Sequence, residues 1–484
     1  MATVLILGAG IAGHTAAMHA RRLLGRKHEV VVVSPSANWN WVPSNIWVGV
    51  GKMAVEKVTF PLEPLYRRKR IEFHQAMAVS IHPEGDAEHE RGFVTIRSTM
   101  VGTKGKESQI EYDYLINCTG PKLNFEATEG LGPSGYTVSV CTAPHAVEAA
   151  EQLEKAIERL KAGEELRFVV GTGHGTCTCE GAAFEYTFNL DHVMREAGVR
   201  DKAELIYLTN EAELGDFGVG GLTFAQQGFQ TTSKLWTESL FRERNVRAIT
   251  GAHCTEIVPG VIHYEQLDGI VREVDFDFAM LLPPFRGAGM AVYDREGNDI
   301  TETMNNPAGF MKVDANYQAG AYEQWSADDW PKTYQTPLYD NIFAAGIAFA
   351  PPHQISQPRV TPRGTVITPA PPRTGMPSGI IAKSVVLTVV DRINGKAKPA
   401  HEASMTKMGA ACIASAGMSF TGGSAASMTM HPVVPDFKAY PVSGRDLRGT
   451  SGEIGLAGHW MKHVLHHLFI YKAKARPFWW IIPE

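Results

Sequence analysis

The stretch Val4-Leu5-Ile6-Leu7-Gly8-Ala9-Gly10-Ile11-Ala12-Gly13 runs an apolar strand straight into GxGxxG, and Thr15 to Leu24 continues with helical composition. Strand, glycine turn and helix in that order form the context a dinucleotide cradle needs. Gly8 permits the tight turn, Gly10 lets backbone approach a pyrophosphate, and Gly13 lets helix and strand pack closely. The helix N-terminus then offers unpaired N–H groups to the phosphates. The expected occupant is FAD, lying on Gly8, Gly10, Ile11, Ala12 and Gly13. The second strand, His28 to Val33, ends in Ser34-Pro35 where an acidic ribose partner is usual. The missing carboxylate counts against NAD at this site and leaves Ser34 beside the cofactor. Asn341 to Ala348 reads as a strand ending on Gly346, of the kind that returns to the first domain beside a flavin.

The pattern recurs at Leu166-Arg167-Phe168-Val169-Val170, followed by Gly171-Thr172-Gly173-His174-Gly175-Thr176-Cys177-Thr178-Cys179-Glu180-Gly181 and helical Ala182 to Leu190. In an NADH enzyme this turn is a second phosphate cradle. Here it carries His174 and two cysteines. A thiol at a helix N-terminus has its thiolate favoured by the same N–H groups, so the pKa of Cys179 is expected to fall and Cys179 to act as a nucleophile. Cys118 ends an apolar strand and Cys254 sits beside another; both read as core. Cys141 follows the Asn117-Cys118-Thr119-Gly120 turn.

The chain has 484 residues, 44% hydrophobic and 20% charged, a composition that supports two or three packed units. A net charge of −5 provides no field for nucleic acid. The 6 cysteines are too sparse for a disulfide framework. Because Thr3 to Leu7 already reads as a strand, no signal peptide is expected before the fold. No run of about 18 apolar residues suggests a spanning helix.

The stretch Trp41-Val42-Pro43-Ser44-Asn45-Ile46-Trp47-Val48-Gly49-Val50-Gly51 is far more specific than a glycine turn. So are Cys141-Thr142-Ala143-Pro144-His145, Cys179-Glu180-Gly181-Ala182-Ala183-Phe184-Glu185-Tyr186, and Phe343-Ala344-Ala345-Gly346-Ile347-Ala348 with Pro351-Pro352 behind it. On these the chain resembles the sulfide:quinone oxidoreductases, membrane-associated two-dinucleotide flavoproteins. The resemblance implies FAD held also by Pro43, Asn45, Thr119, Gly120, Gly346, Arg373 and Thr374. It implies oxidation of sulfide to sulfane sulfur at a cysteine pair, and transfer of two electrons through FAD to a membrane quinone. Cys141 resembles the family cysteine at the flavin edge, attached to the cofactor in some members, and Cys179 one redox cysteine. The other is expected before an Asn-Pro-Gly-Gly-Phe-like turn, but Asn305 stands before Asn306-Pro307-Ala308-Gly309-Phe310. Asp216, in Gly215-Asp216-Phe217-Gly218, replaces a family histidine. Either Cys177 supplies the missing thiol through a strained Cys177–Cys179 disulfide, or another donor feeds the flavin. A type II NADH:quinone oxidoreductase, and a flavin subunit passing electrons to a cytochrome, are the alternatives.

The expected architecture is α/β, with two Rossmann-like dinucleotide-binding domains and a C-terminal membrane-associating extension. Residues 1–120 and 305–395 make the FAD domain, 121–304 the second Rossmann-like domain, and 396–484 the membrane and quinone region. Arg373, in Pro371-Pro372-Arg373-Thr374-Gly375, stands where a cation could stabilise reduced flavin or simply be solvated. Leu456, Trp460, Val464, Leu465, Leu468 and Phe469 fall on one helical face, with Lys472, Lys474, Arg476 and Trp479-Trp480 beyond. That pattern describes a helix lying in a bilayer surface or packed on the core. His459, His463, His466 and His467 are read as solvated or headgroup-facing, without a metal. A peripheral protein of the cytoplasmic membrane is expected, possible as a homodimer or homotrimer.

Overall fold

The computed structural model describes residues 1–226, 228–417 and 421–484. Strands β1 (Thr3–Leu7), β2 (Glu29–Ser34), β3 (Glu72–His82) and β4 (Tyr114–Asn117) begin the first sheet. The Val, Ile and Leu runs of β1, β2 and β4 are buried on both faces, as a parallel sheet covered by helices requires. Helix α1 (Ile11–Leu24) carries the chain from β1 to β2. Strand β1 pairs in parallel with β2 on one side and β4 on the other. The strand order therefore reverses at the C-terminal end of β1, where open α/β sheets bind ligands.

A second parallel sheet follows helix α2 (Ala143–Lys161). It contains β5 (Leu166–Thr172), β6 (Ala203–Leu208), β7 (Val246–Ile249) and β8 (Phe278–Leu282), in the order β7-β6-β5-β8. Helix α3 (Glu180–Glu196) connects β5 to β6. Both Rossmann-like units expected from the sequence are present. The chain is back on the first sheet at Ala291–Val292, which pairs with Ser80 and Ile81. Strand β9 (Ile342–Ala344) then joins β4, placing Ala344 opposite Asn117, and helix α4 (Gly375–Ile393) packs along α1.

The C-terminal region builds an antiparallel sheet from β10 (Ala410–Ala416), β11 (Ser424–Met430) and β12 (Ser451–Gly455). Strand β10 packs on α3, and helix α5 (Leu456–Ala473) packs on β11. Helix α5 turns its polar side inward. His459 and Lys462 are 0% and 9% exposed, whereas Trp460 and Val464 are 41% and 54% exposed. This corrects the expectation of solvated histidines at His459 and His466. Lys462 Nζ donates to Glu185 Oε2 at 2.9 Å, and His466 Nδ1 and Ser44 Oγ share a hydrogen bond of 2.9 Å. The inward polar groups are satisfied by the body of the protein, so the apolar side is left outside. No helix among the described residues is long and apolar enough to cross a membrane.

Candidate active site

The cleft at the switch point is built by sterics that act on the first glycine turn. Gly8 sits at φ +93°, and a side chain there would place Cβ 2.2 Å from the Cys118 carbonyl oxygen. At Gly13 a Cβ would lie 2.0 Å from Gly8 O, so only glycine lets α1 approach the turn. Gly10 is different: nothing lies within 4 Å of its missing Cβ. It faces the open space a pyrophosphate would fill. Ile11 and Ala12 begin α1 behind it. Gly346, at φ +70°, approaches Ala12, and Gly375 approaches Ile11, so the N-termini of α1 and α4 converge on this space. Thr374 caps α4. These residues fit a dinucleotide with its phosphates at a helix N-terminus.

Around the cleft, Ser34 closes β2 in a buried position. Thr119 is held by Asn117 Oδ1, which accepts from its backbone N–H at 3.1 Å and its hydroxyl at 2.8 Å, and Gly120 follows at φ +70°. Pro43 lies in a single turn over Val42–Ser44. Asn45 is fully buried and donates to the Val140 carbonyl at 3.1 Å, fastening this segment to the residue before Cys141.

The structure brings Cys141 and Cys179 into electrostatic reach of one another, together with Arg373. Arg373 is internal. Its Nη1 donates to the Ile347 and Phe349 carbonyls at 3.2 and 3.1 Å, and its guanidinium lies 4.8 Å from the Phe310 ring centroid. Burial lowers it to about 10, so it remains a cation at neutral pH. Asn305 is buried and donates to the Met290 carbonyl at the start of the turn that supplies Phe310. Cys141 and Cys179 each keep part of their surface open, yet the surrounding protein raises both thiols. Burial pushes Cys179 up to about 12, with nearby Glu180 and Cys141 adding to it, and pushes Cys141 up to about 11. The lowered pKa expected of Cys179 is therefore not found, because loss of hydration outweighs the helix N-terminus.

Cys177 and Cys179 are both free thiols, as is Cys141. Cys177 is fully buried and its thiol donates to the Leu282 carbonyl at 3.1 Å, on the side of Cys254. Cys179 caps α3 in the left-handed conformation, φ +72°, which sends the two side chains to different neighbours. A non-glycine residue held there costs about 1 kcal/mol or more, a strain that persists where function requires it. Cys118 and Cys254 are buried as core thiols.

The second glycine turn is closed. The segment 359–371 lies along it: Thr368 N–H donates to Gly175 O and Ala370 N–H to Cys177 O, both at 2.8 Å. The Thr178 hydroxyl donates to Pro371 O at 3.0 Å. A Cβ at Gly175 would meet Val366 O at 2.4 Å, and one at Gly173 would meet Leu131. Glu211 stands just beyond β6, where an NADH-binding unit presents a ribose-binding acid. Here it is fully buried, accepting from Thr209 Oγ1 at 2.8 Å and from Phe217 N–H at 2.9 Å.

Residues 2–213 match the family model described as pyridine nucleotide-disulphide oxidoreductase. The sulfide-quinone reductase of Aquifex aeolicus (strain VF5) is 28% identical over 471 residues, spanning 97% of this chain and 91% of that protein. The solved sulfide:quinone oxidoreductase from Aquifex aeolicus superimposes with a TM-score of 0.73 at 26% identity, covering 98% of this chain and 92% of that one. The chain is similar to the sulfide-quinone reductases over nearly its whole length. The NDH2 of Plasmodium falciparum in complex with NADH shares the fold, at 13% identity and a TM-score of 0.63 over 99% of this chain and 97% of that one.

Sequence reasoning overlooked three features of the site. Glu180 was visible next to Cys179, but its burial was not. Glu211 stands in a recognisable position after a strand, although its inward turn depends on Thr209 and Phe217. The strap 359–371 has no local signal, since its partners lie nearly two hundred residues earlier.

Proposed function

We propose that this chain oxidises sulfide to sulfane sulfur, with FAD as the two-electron acceptor and a membrane quinone as the final oxidant. The observation that carries this reading is a second nucleotide turn already filled by protein, with the Cys179 thiol at its helix and Cys141 and the Arg373 cation in that thiol's electrostatic surroundings. FAD, when bound on the first glycine turn, would accept two electrons and hand them on one or two at a time. Cys141 and Cys179 would cycle between disulfide and dithiol. Hydrosulfide opens the disulfide, leaving its sulfur on Cys141 as a persulfide and Cys179 as the leaving group. Arg373 favours negative charge as it develops at Cys179. Cys177 takes no part.

The proposed domain division follows the same logic: 1–120 with 305–395 for FAD, 121–304 for the thiol-bearing unit, and 396–484 for the membrane and quinone. The outward apolar face of α5, with Leu456, Trp460, Val464 and Leu468 exposed and Trp480 beyond, supports docking on a bilayer surface. Replacing Val464 with glutamate is expected to cut co-sedimentation with liposomes while leaving the melting temperature unchanged, because that side chain contributes little to the core.

Anaerobic stopped-flow mixing of the flavin-loaded protein with sulfide or with NADH tests the reaction. Sulfide is expected to bleach the flavin absorbance and NADH to leave it. Bleaching by NADH at a comparable rate would overturn the assignment.

A further inference from the structure

Glu180 has no role in the sulfur chemistry above, yet it stands at the first turn of α3 beside Cys179. It is 1% exposed, and neither carboxyl oxygen has a hydrogen-bond partner among the described residues. The Asn210 side chain lies next to it. Asn210 Nδ2 donates to the Gly175 and Cys177 carbonyls, both at 3.2 Å, and its Oδ1 lacks a donor. A protonated Glu180 can supply that hydrogen, whereas an ionised one cannot. The titratable groups facing Glu180 are Glu211 and Asp216 from the loop after β6, Tyr207 from β6, and the thiols of Cys177 and Cys179. None of these is a cation; Arg445 acts on Asp216 instead.

Burial, reinforced by Glu211 and Asp216, holds Glu180 well above the usual carboxylate range. Burial also raises Glu211, to about 7, and raises Asp216. Asp216 keeps some exposure and accepts from the Gly218 N–H at 3.0 Å and from the Ser356 hydroxyl. Glu180 and Glu211 are buried, and of the three acids Asp216 alone keeps some exposure.

We propose that Glu180 is the acid that protonates Cys179 when hydrosulfide opens the Cys141–Cys179 disulfide, with Asp216 and Glu211 returning its proton from solvent. The step rests on the sulfide reading. A bond forms between hydrosulfide sulfur and Cys141 Sγ, the disulfide bond breaks, and its electron pair leaves on Cys179 Sγ. The Glu180 proton goes to that sulfur. The products are the Cys141 persulfide, the Cys179 thiol and the Glu180 carboxylate, so the charge brought in by hydrosulfide ends on Glu180. A proton arriving through Asp216 and Glu211 cancels it. The disulfide is the oxidant: a second hydrosulfide carries the outer sulfur of the Cys141 persulfide away as hydrogen disulfide, and the resulting Cys141/Cys179 dithiol would give its two electrons to bound FAD as the disulfide reforms. A thiol that burial pushes up to about 12 is a poor leaving thiolate, and a neighbouring acid removes that obstacle.

Glu180→Gln in the flavin-loaded protein tests this in two ways. Infrared spectroscopy at neutral pH is expected to find a protonated-carboxyl C=O stretch in the wild type that is lost in Glu180→Gln. Stopped-flow bleaching by sulfide is expected to slow about 10²-fold in the variant. Its rate should also lose the decline that the wild type shows as rising pH ionises Glu180. Glu180→Asp, which keeps a carboxyl on a shorter arm, should recover part of the rate. Wild-type rate and pH profile in Glu180→Gln, or an unchanged carboxyl band, would overturn the proposal. Wild-type protein that sulfide fails to bleach sinks the sulfide reading itself, and the acid's role with it, whatever the infrared band does.

Discussion

The two glycine turns of this molecule share one sequence grammar and end as opposite structures. At Gly8–Gly13 the glycines with steric work, Gly8 and Gly13, press against backbone, and Gly10 is left facing empty space. At Gly171–Cys179 the corresponding room is taken by the strap 359–371, and the helix begins on a strained thiol rather than a glycine. A strand, a glycine turn and a helix thus specify a backbone shape; what the shape holds depends on residues far away in the chain.

Four perturbations separate the turns. Cys179→Ser should lower sulfide-driven flavin reduction by about 10⁴-fold or more, as loss of a reacting group does; near-normal bleaching in a stopped-flow trace would place the chemistry elsewhere. Gly13→Ala should destabilise the fold by about 1–3 kcal/mol and yield colourless protein, since its Cβ meets Gly8 O. Gly175→Ala, which meets Val366 O, should cost a similar stability while keeping the flavin. Denaturant melts with flavin absorbance on the same samples distinguish the two glycines, and equal flavin loss from both would erase the contrast. The smallest effect is expected from Cys177→Ser, whose hydroxyl can still donate to the Leu282 carbonyl. It should change stability by about 1 kcal/mol or less and leave the sulfide rate intact.

The first turn was legible because its constraints are local: backbone overlap at Gly8 and Gly13 is decided within a few residues and one neighbouring strand. The arrangement of the thiols was not legible. The direction of Cys177 and the backbone of Cys179 depend on the Leu282 carbonyl and on a left-handed residue at position 179, and neither is written in the Cys-Thr-Cys spacing. The protonation of Cys179 was misjudged for the same reason, since the helix end is local and the enclosing protein is not. Helix α5 was amphipathic by inspection, yet its direction was hidden. Glu185 and Ser44, which draw Lys462 and His466 inward, lie more than two hundred and seventy residues away.

That inward ionic face has a mechanical consequence. Because Lys462 and His466 are anchored to the body of the protein, the apolar face of α5 is a rigid surface whose shape does not depend on lipid. Adsorption then requires no coil-to-helix ordering, so the conformational entropy that a free amphipathic segment loses at an interface has already been lost in folding.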